Sequence, residues 1–225
     1  GRAGPAAGPS GTRGGAPSGA PKVKPVPTRG AIPRAPPSAP ADGGARIAEY
    51  YGLTPHIVIG DMDSLSAGEV AALRERGADI RQFAEEKDET DLELALTLAV
   101  ERGARWLRVI GAIGDRLDQT LSNVSLLALP ALANCDARMI AGKQEAWLIG
   151  AGSHGIAGSP GDTLSLLPMT GTVRGVRTEA LYYPLRDEDL FFGLTRGVSN
   201  VMQASSARVH VAEGVLLVVR TLGRA

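Results

Sequence analysis

Three scarcities narrow the reading of this 225-residue chain. It has one cysteine, Cys135, so no intrachain disulfide can form and a reducing compartment is the better fit. No apolar run approaches the roughly 20 residues of a membrane span. The N-terminus also lacks the continuous apolar stretch of a secretory signal. The expectation is a soluble, cytoplasmic protein without a membrane partner. Net charge is absent too, with 24 basic and 24 acidic residues, but the balance hides an asymmetry. Residues 1–41 carry six basic and no acidic residues, which leaves the remainder at a net −6.

Residues 1–41 also hold 10 of the 15 prolines and eight of the glycines, with only Val23, Val26 and Ile32 as large aliphatics. Such a stretch buries too little apolar surface to offset its ordering entropy, and it reads as a disordered low-complexity tail or as non-native sequence. A solvated tail is favoured over a nucleic-acid arm, so no nucleic-acid partner is expected. From Asp42 the composition changes. Asp42-Gly43-Gly44-Ala45 is a turn signal opening a short helix over 46–51. A strand at 57–59 follows, then a helix with Ser66 and Glu69 as a capping box. A strand at 79–83 precedes an acidic loop, Glu85 to Asp91, which holds five acids around one lysine. A helix over 92–102, for which Thr90 and Glu93 form a second capping box, leads to strands at 106–110 and 137–140 with a helix between them. Strands alternating with helices predict a parallel sheet with helices on both faces. After Lys143 the period becomes that of short strands, expected at 146–149, 163–167, 172–177, 181–183, 208–211 and 216–220. The fold class is therefore an α/β domain over 42–144, parallel-sheeted, followed by a small antiparallel β-sandwich domain over 145–225. No internal repeat is present.

Chemistry concentrates in the first domain. In Gly60-Asp61-Met62-Asp63-Ser64, a β-branched strand ends in glycine and delivers two carboxylates two positions apart, which on an extended chain face one side. The carboxyl end of such a strand is where ligands sit in open α/β sheets. Two close carboxylates favour a hard divalent cation such as Mg2+ shared with substrate phosphates; a solvated turn is the plain alternative. Gly111 to Gln119 combines glycines, Arg116 and Asp118 before a helix, an arrangement that suits a phosphate, or an ordinary strand–loop–helix connection. None of the three histidines falls in these motifs, so a histidine base is not expected.

Taken together, Asp42-Gly43-Gly44-Ala45, Gly60-Asp61-Met62-Asp63-Ser64, Asp88-Glu89-Thr90-Asp91 and Gly114-Asp115-Arg116-Leu117-Asp118-Gln119 resemble the ordered motifs of the thiamine pyrophosphokinase (thiamine diphosphokinase) family. Ser165-Leu166-Leu167-Pro168, Leu181-Tyr182-Tyr183-Pro184-Leu185 and Gly197-Val198-Ser199-Asn200 resemble its later signatures. The resemblance implies transfer of the diphosphate of ATP to thiamine by a homodimer whose thiamine pocket is shared between subunits. It implies Mg2+ held by Asp61, Asp63 and Asp91, with Arg116 and Asp118 as further catalytic groups. Asp42, Gly43, Thr90, Arg116 and Gln119 would face ATP, and Tyr183, Ser199 and Asn200 would face thiamine. The alternatives are diphosphate transfer to another alcohol such as a pterin, and a non-catalytic dimeric thiamine- or nucleotide-binding module. Two departures stand out. The family carries a first strand ahead of its Asp-Gly-Gly turn, where this chain has a proline tract that cannot form a central strand. An incomplete sheet would expose an apolar edge and weaken ATP binding. Ala180 stands where the family more often has glycine.

Overall fold

The structure, a computed structural model, describes residues 38–41 and 43–224. The expected tail therefore lies outside the described residues except for 38–41, and Asp42 lies outside them too. Helix α1 (Gly44–Tyr50) follows directly. Strand β1 (Ile57–Gly60) is buried at every position, as a run of β-branched residues in a parallel sheet should be. Helix α2 (Ala67–Glu75) begins at Ser66, whose side chain accepts from the Glu69 N–H while Glu69 reaches back to the Ser66 backbone, the predicted capping box. Strand β2 (Asp79–Gln82), helix α3 (Asp91–Glu101), strand β3 (Trp106–Ile110) and helix α4 (Leu117–Ser125) continue the alternation. Two short 3-10 turns, Leu126–Ala128 and Pro130–Leu132, lead into β4 (Asp136–Ala141).

The eight later strands are β5 (Gln144–Ile149), β6 (Gly152–Ala157), β7 (Thr163–Pro168), β8 (Thr172–Glu179), β9 (Arg186–Phe191), β10 (Asn200–Val201), β11 (Ser206–Val211) and β12 (Leu216–Thr221). The strand expected at 181–183 is reduced to a single bridge between Leu181 and Met202, because Ala180 turns left-handed (φ 59°) and takes the chain out of β8.

The sheets divide differently from the expected single parallel sheet. β1 pairs in parallel with β2, and β3 pairs in parallel with β4, but these two pairs belong to separate sheets. β4 instead turns back antiparallel onto β5, so a six-stranded sheet runs in the order β10-β7-β12-β5-β4-β3. The expected boundary at 144/145 thus falls in a hairpin within one continuous sheet. A four-stranded sheet, β6-β11-β8-β9, packs on its far half, and inward residues of both make one core that includes Trp147, Leu164, Leu166, Val173, Val209 and Leu216.

Helix α3 spans the break between the parallel pairs. Its Ala95, with Leu94 and Leu98, packs on Ile57 and Ile59 of β1, while Leu92, Leu96 and Val100 pack with Val109, Ala137 and Met139 of β3 and β4. Residues 38–41 lie along β1: the His56 and Ile57 N–H groups donate to the Ser38 carbonyl, and the Ile59 N–H donates to the Pro40 carbonyl at 3.1 Å. Proline is tolerated there because this edge asks it only for an acceptor. Among the described residues, β3 has no partner on its outer edge, and Trp106 and Ile110 lie 51% and 42% exposed.

Candidate active site

The acidic loop, the start of α3, the first turns of α4 and Ala41 beside β1 surround a polar cleft of about 360 Å³. It is lined by Ala41, Glu89, Thr90, Asp91, Gln119 and, from the acidic loop, Lys87. The sequence explains each position. Thr90 ends the loop because its hydroxyl accepts from the Glu93 N–H at 3.2 Å and caps α3. Thr90 thus caps α3 and lines the cleft at the same time. The first-turn N–H groups of α3 leave a positive end to the helix beside the cleft.

Asp91 is the most constrained group. Lys87 Nζ stands 2.9 Å from Asp91 Oδ1, one helical turn away in sequence, with both side chains largely covered (15% and 25% exposed). The ammonium lies off the direction a hydrogen bond needs, so this buried carboxylate oxygen has an ion pair and no hydrogen bond. Lys87 also acts on Asp61. The Asp61 carboxyl is held below its usual range first by the Asp63 N–H, which donates to Oδ1 at 3.0 Å, and further by the Lys87 charge. The Gln82 amide donates to the Asp61 carbonyl at 3.1 Å. Lys87 is a candidate site residue that the sequence reading passed over; its signal was a single cation inside a run of five acids.

The three carboxylates expected on one ion do not converge. Among the described residues, no three of His, Cys, Asp and Glu come together as a metal-holding group. The reason lies at Met62, which adopts φ 68° and is buried. The chain is not extended through Asp61-Met62-Asp63, so the same-side rule for strands fails. The Asp61 carboxylate accepts from the Asp63 N–H at 3.0 Å and also meets the Asp63 side chain. A magnesium ion delivered with a triphosphate asks for fewer protein ligands, because phosphates and water supply most of its oxygens and one or two carboxylates suffice. Asp91 and Asp61, which share the Lys87 charge, fit that smaller set.

Arg116 and Asp118 are placed together rather than in the cleft. Arg116 Nε and Nη2 approach the Asp118 carboxylate at 3.2 and 2.5 Å, and the two side chains are 71% and 66% exposed. That pairing pulls the Asp118 carboxyl down, so Asp118 serves the arginine and not the acidic cluster. Gly43 lies at the other wall: a Cβ there would meet Ser64 Oγ at 3.2 Å, so the smallest residue lets α1 start close to the Asp63-Ser64 turn.

On the β side, Asn200 is buried and hydrogen-bonded. Its Oδ1 accepts from the Tyr183 and Val201 N–H groups, both at 2.9 Å, and its Nδ2 donates to the Tyr183 carbonyl at 2.7 Å. It clamps Tyr183, using both acceptor positions of Oδ1 and one of the two Nδ2 hydrogens. Ser199 is exposed, with φ 57°, and its N–H donates to Ser165 Oγ. Tyr183 stays 55% exposed, edge-on to Tyr182 at 4.7 Å between ring centroids.

Comparison with known proteins separates the same two halves. The family model "Thiamin pyrophosphokinase, catalytic domain" matches residues 32–139, and "Thiamin pyrophosphokinase, vitamin B1 binding domain" matches residues 153–216. The thiamine pyrophosphokinase of Bacillus subtilis (strain 168) is 26% identical over 171 residues, 76% of this chain and 80% of its own. The solved structure of a thiamin pyrophosphokinase family protein from Enterococcus faecalis superposes with a TM-score of 0.74 at 26% identity, covering 81% of this chain and 87% of its own. That of thiamin pyrophosphokinase from Geobacillus thermodenitrificans gives 0.70 at 28% identity, covering 81% and 85%.

Proposed function

The chain belongs to the thiamin pyrophosphokinase family, and on that premise we propose how its residues carry out diphosphate transfer from ATP to thiamine, yielding thiamine diphosphate and AMP. The observation that carries the reading is the polar cleft at Thr90, Asp91 and Gln119, with its Lys87 ammonium and an Asp91 oxygen that makes no hydrogen bond. The thiamine hydroxyl oxygen attacks the β-phosphorus, the bond from that phosphorus to the bridging α-phosphate oxygen breaks, and AMP leaves. Little covalent help is needed, so positioning and charge neutralisation dominate.

Lys87 and the first-turn amides of α3 bind phosphate oxygens, and Gln119 adds a neutral amide from the start of α4. Acids outnumber cations around the cleft, with Glu85, Glu89 and Asp91 against Lys87. A bare triphosphate would be repelled, which favours a nucleotide that arrives neutralised. Magnesium, held by Asp61 and Asp91 with Asp63 at the rim, would supply that neutralisation. Arg116, held ready by Asp118, turns its planar fork onto the transferred diphosphate.

Thiamine, cationic and aromatic, stacks on Tyr183, which Asn200 holds from behind and Ser199 flanks. Tyr182, Tyr183 and Val198 leave 60%, 55% and 43% of their surfaces exposed around that clamp. We read this apolar neighbourhood as the seam on which a second copy completes the thiamine pocket. The four-stranded sheet and the antiparallel part of the six-stranded sheet supply the rigid β-sandwich behind it. A cytoplasmic setting suits the single free Cys135, which a reducing compartment keeps as a thiol; among the described residues, no helix is long and apolar enough to cross a membrane.

The decisive experiment is Asp91→Asn, with thiamine diphosphate formation measured from ATP. A loss of at least about 100-fold in kcat/KM is expected, with an unchanged far-UV spectrum. Near-normal turnover would overturn the site. Replacing thiamine by a hydroxymethylpterin in the same assay should give no product. Tyr183→Ala should raise the KM for thiamine more than that for ATP.

A further inference from the structure

Lys87 does more than line the polar cleft. Among the described residues of its wall it is the one cation, set against Glu85, Glu89 and Asp91. Its ammonium is held and not left to swing in solvent. Nζ donates to the Ala84 carbonyl at 3.2 Å and stands 2.9 Å from Asp91 Oδ1, with the side chain only 15% exposed. Its charge reaches Asp61 as well. A positive group thus already sits at the two carboxylates that fit a metal.

Two features make that group replaceable. Asp91 Oδ1 is buried and makes no hydrogen bond, so its lone pairs stay open to a ligand and the departing ammonium breaks no hydrogen bond there. The lysine head carries three donors on a flexible four-carbon stem, so it can turn to a new acceptor without moving the backbone. Charge then decides what can take the place. A bare divalent ion would meet a like charge beside Asp91, and among the described residues no set of three acidic, histidine or cysteine side chains converges to offset it. An ion carried on a triphosphate brings oxygen ligands of its own and gives the displaced ammonium an anion to pair with.

We propose that Lys87 is an exchange cation: it pairs with Asp91 in the unliganded chain, keeps free magnesium out, and passes to a phosphate oxygen when the metal arrives with the nucleotide. The proposal rests on the diphosphotransfer reading above. It makes Lys87 a specificity residue, which selects the metal–nucleotide complex over the free ion. Metal and nucleotide are then positively coupled through one side chain.

The test is ligand binding by the full chain, read without turnover. Free manganese(II), which shares magnesium's preference for oxygen ligands, is titrated without nucleotide and followed by electron paramagnetic resonance. Magnesium ATP is titrated separately by calorimetry. Lys87→Gln removes the charge and keeps a donor for the Ala84 carbonyl; Lys87→Arg keeps the charge. In Lys87→Gln, manganese alone should bind about 10-fold tighter and magnesium ATP about 10-fold weaker, a modest coupling for two ligands of one site. Lys87→Arg should stay near wild type on both. A purely structural tether predicts that both ligands weaken together, and that result would overturn the exchange. So would manganese binding no tighter in Lys87→Gln than in wild type, magnesium ATP binding left unchanged, or Lys87→Arg behaving like Lys87→Gln. A wild-type chain without affinity for magnesium ATP would overturn the diphosphotransfer reading and the exchange with it.

Discussion

The two halves of this molecule are built to different standards of completeness. From β5 onward, one core of 16 buried residues joins two sheets, and the candidate ligand-facing tyrosine is fixed from behind by three hydrogen bonds of Asn200. The other buried residues fall into three smaller clusters, two of which include residues of α3, and among the described residues the outer edge of β3 has no partner. The half that handles a rigid aromatic vitamin is preorganised. The half that handles a flexible, highly charged triphosphate holds its site with an ion pair that lacks a hydrogen bond and with loops at strand ends. The contrast teaches that charge, not packing, organises the nucleotide side, so that side should respond most to ligand.

The contrast can be broken most forcefully inside the β half. Leu216, fully buried at the centre of its core, should cost about 2–5 kcal/mol when changed to Ala, measured by urea unfolding. A smaller loss would mean that this core is as loosely organised as the others. Next in size is ligand stabilisation. Magnesium and ATP at about 100 times Kd should add about 2.7 kcal/mol, with hydrogen-exchange protection gained in α3 and the loop before it and not in β7 or β12. Uniform protection would erase the distinction. Within the β half, Ala180→Gly should stabilise by about 0.5–1 kcal/mol, because the left-handed conformation at φ 59° costs an alanine more than a glycine. An unchanged thermal midpoint would argue that the strain is absorbed elsewhere.

The smallest effect concerns the α1–α2 contact. Arg46 holds the Glu69 carboxyl down to about 2, from 4.5, with help from the Ser66 N–H. A depressed carboxyl contributes stability above its unfolded value, and that contribution is lost as pH falls from about 4.5 toward 2. Arg46→Ala should therefore unfold more easily than wild type at pH 6, with the difference shrinking by pH 3. Both side chains are partly exposed, so the effect should also fade in high salt.

Much of the frame was legible in the residues. The β3 strand lies where the run Trp106–Ile110 predicts it, and α3 begins at Asp91, within one residue of expectation. Both capping hydroxyls, Ser66 and Thr90, are in place. Three strands escaped the sequence reading: the two-residue β10, and β6 and β9, which bury a single side chain each, Ile156 and Leu190. Polar runs such as Arg186-Asp187-Glu188-Asp189 have no alternation to read, and only their hydrogen bonds to β11 and β8 make them strands. At the site, Thr90, Asp91 and Gln119 gather as expected. Asp118 and Asn200 take other partners, because a nearby arginine and a neighbouring backbone satisfy them first.

By itself, the amino-acid order determined the element types, the helix caps, the acidic character of the nucleotide side and the kinship of its motifs, since all of these are written in neighbours a few residues apart. Tertiary structure alone decided that β4 turns back into the β half, that Met62 takes a left-handed angle between Asp61 and Asp63, and that Lys87 pairs with Asp91. Those outcomes depend on pairing across long stretches of chain and on one left-handed backbone angle, which no local pattern of side chains encodes.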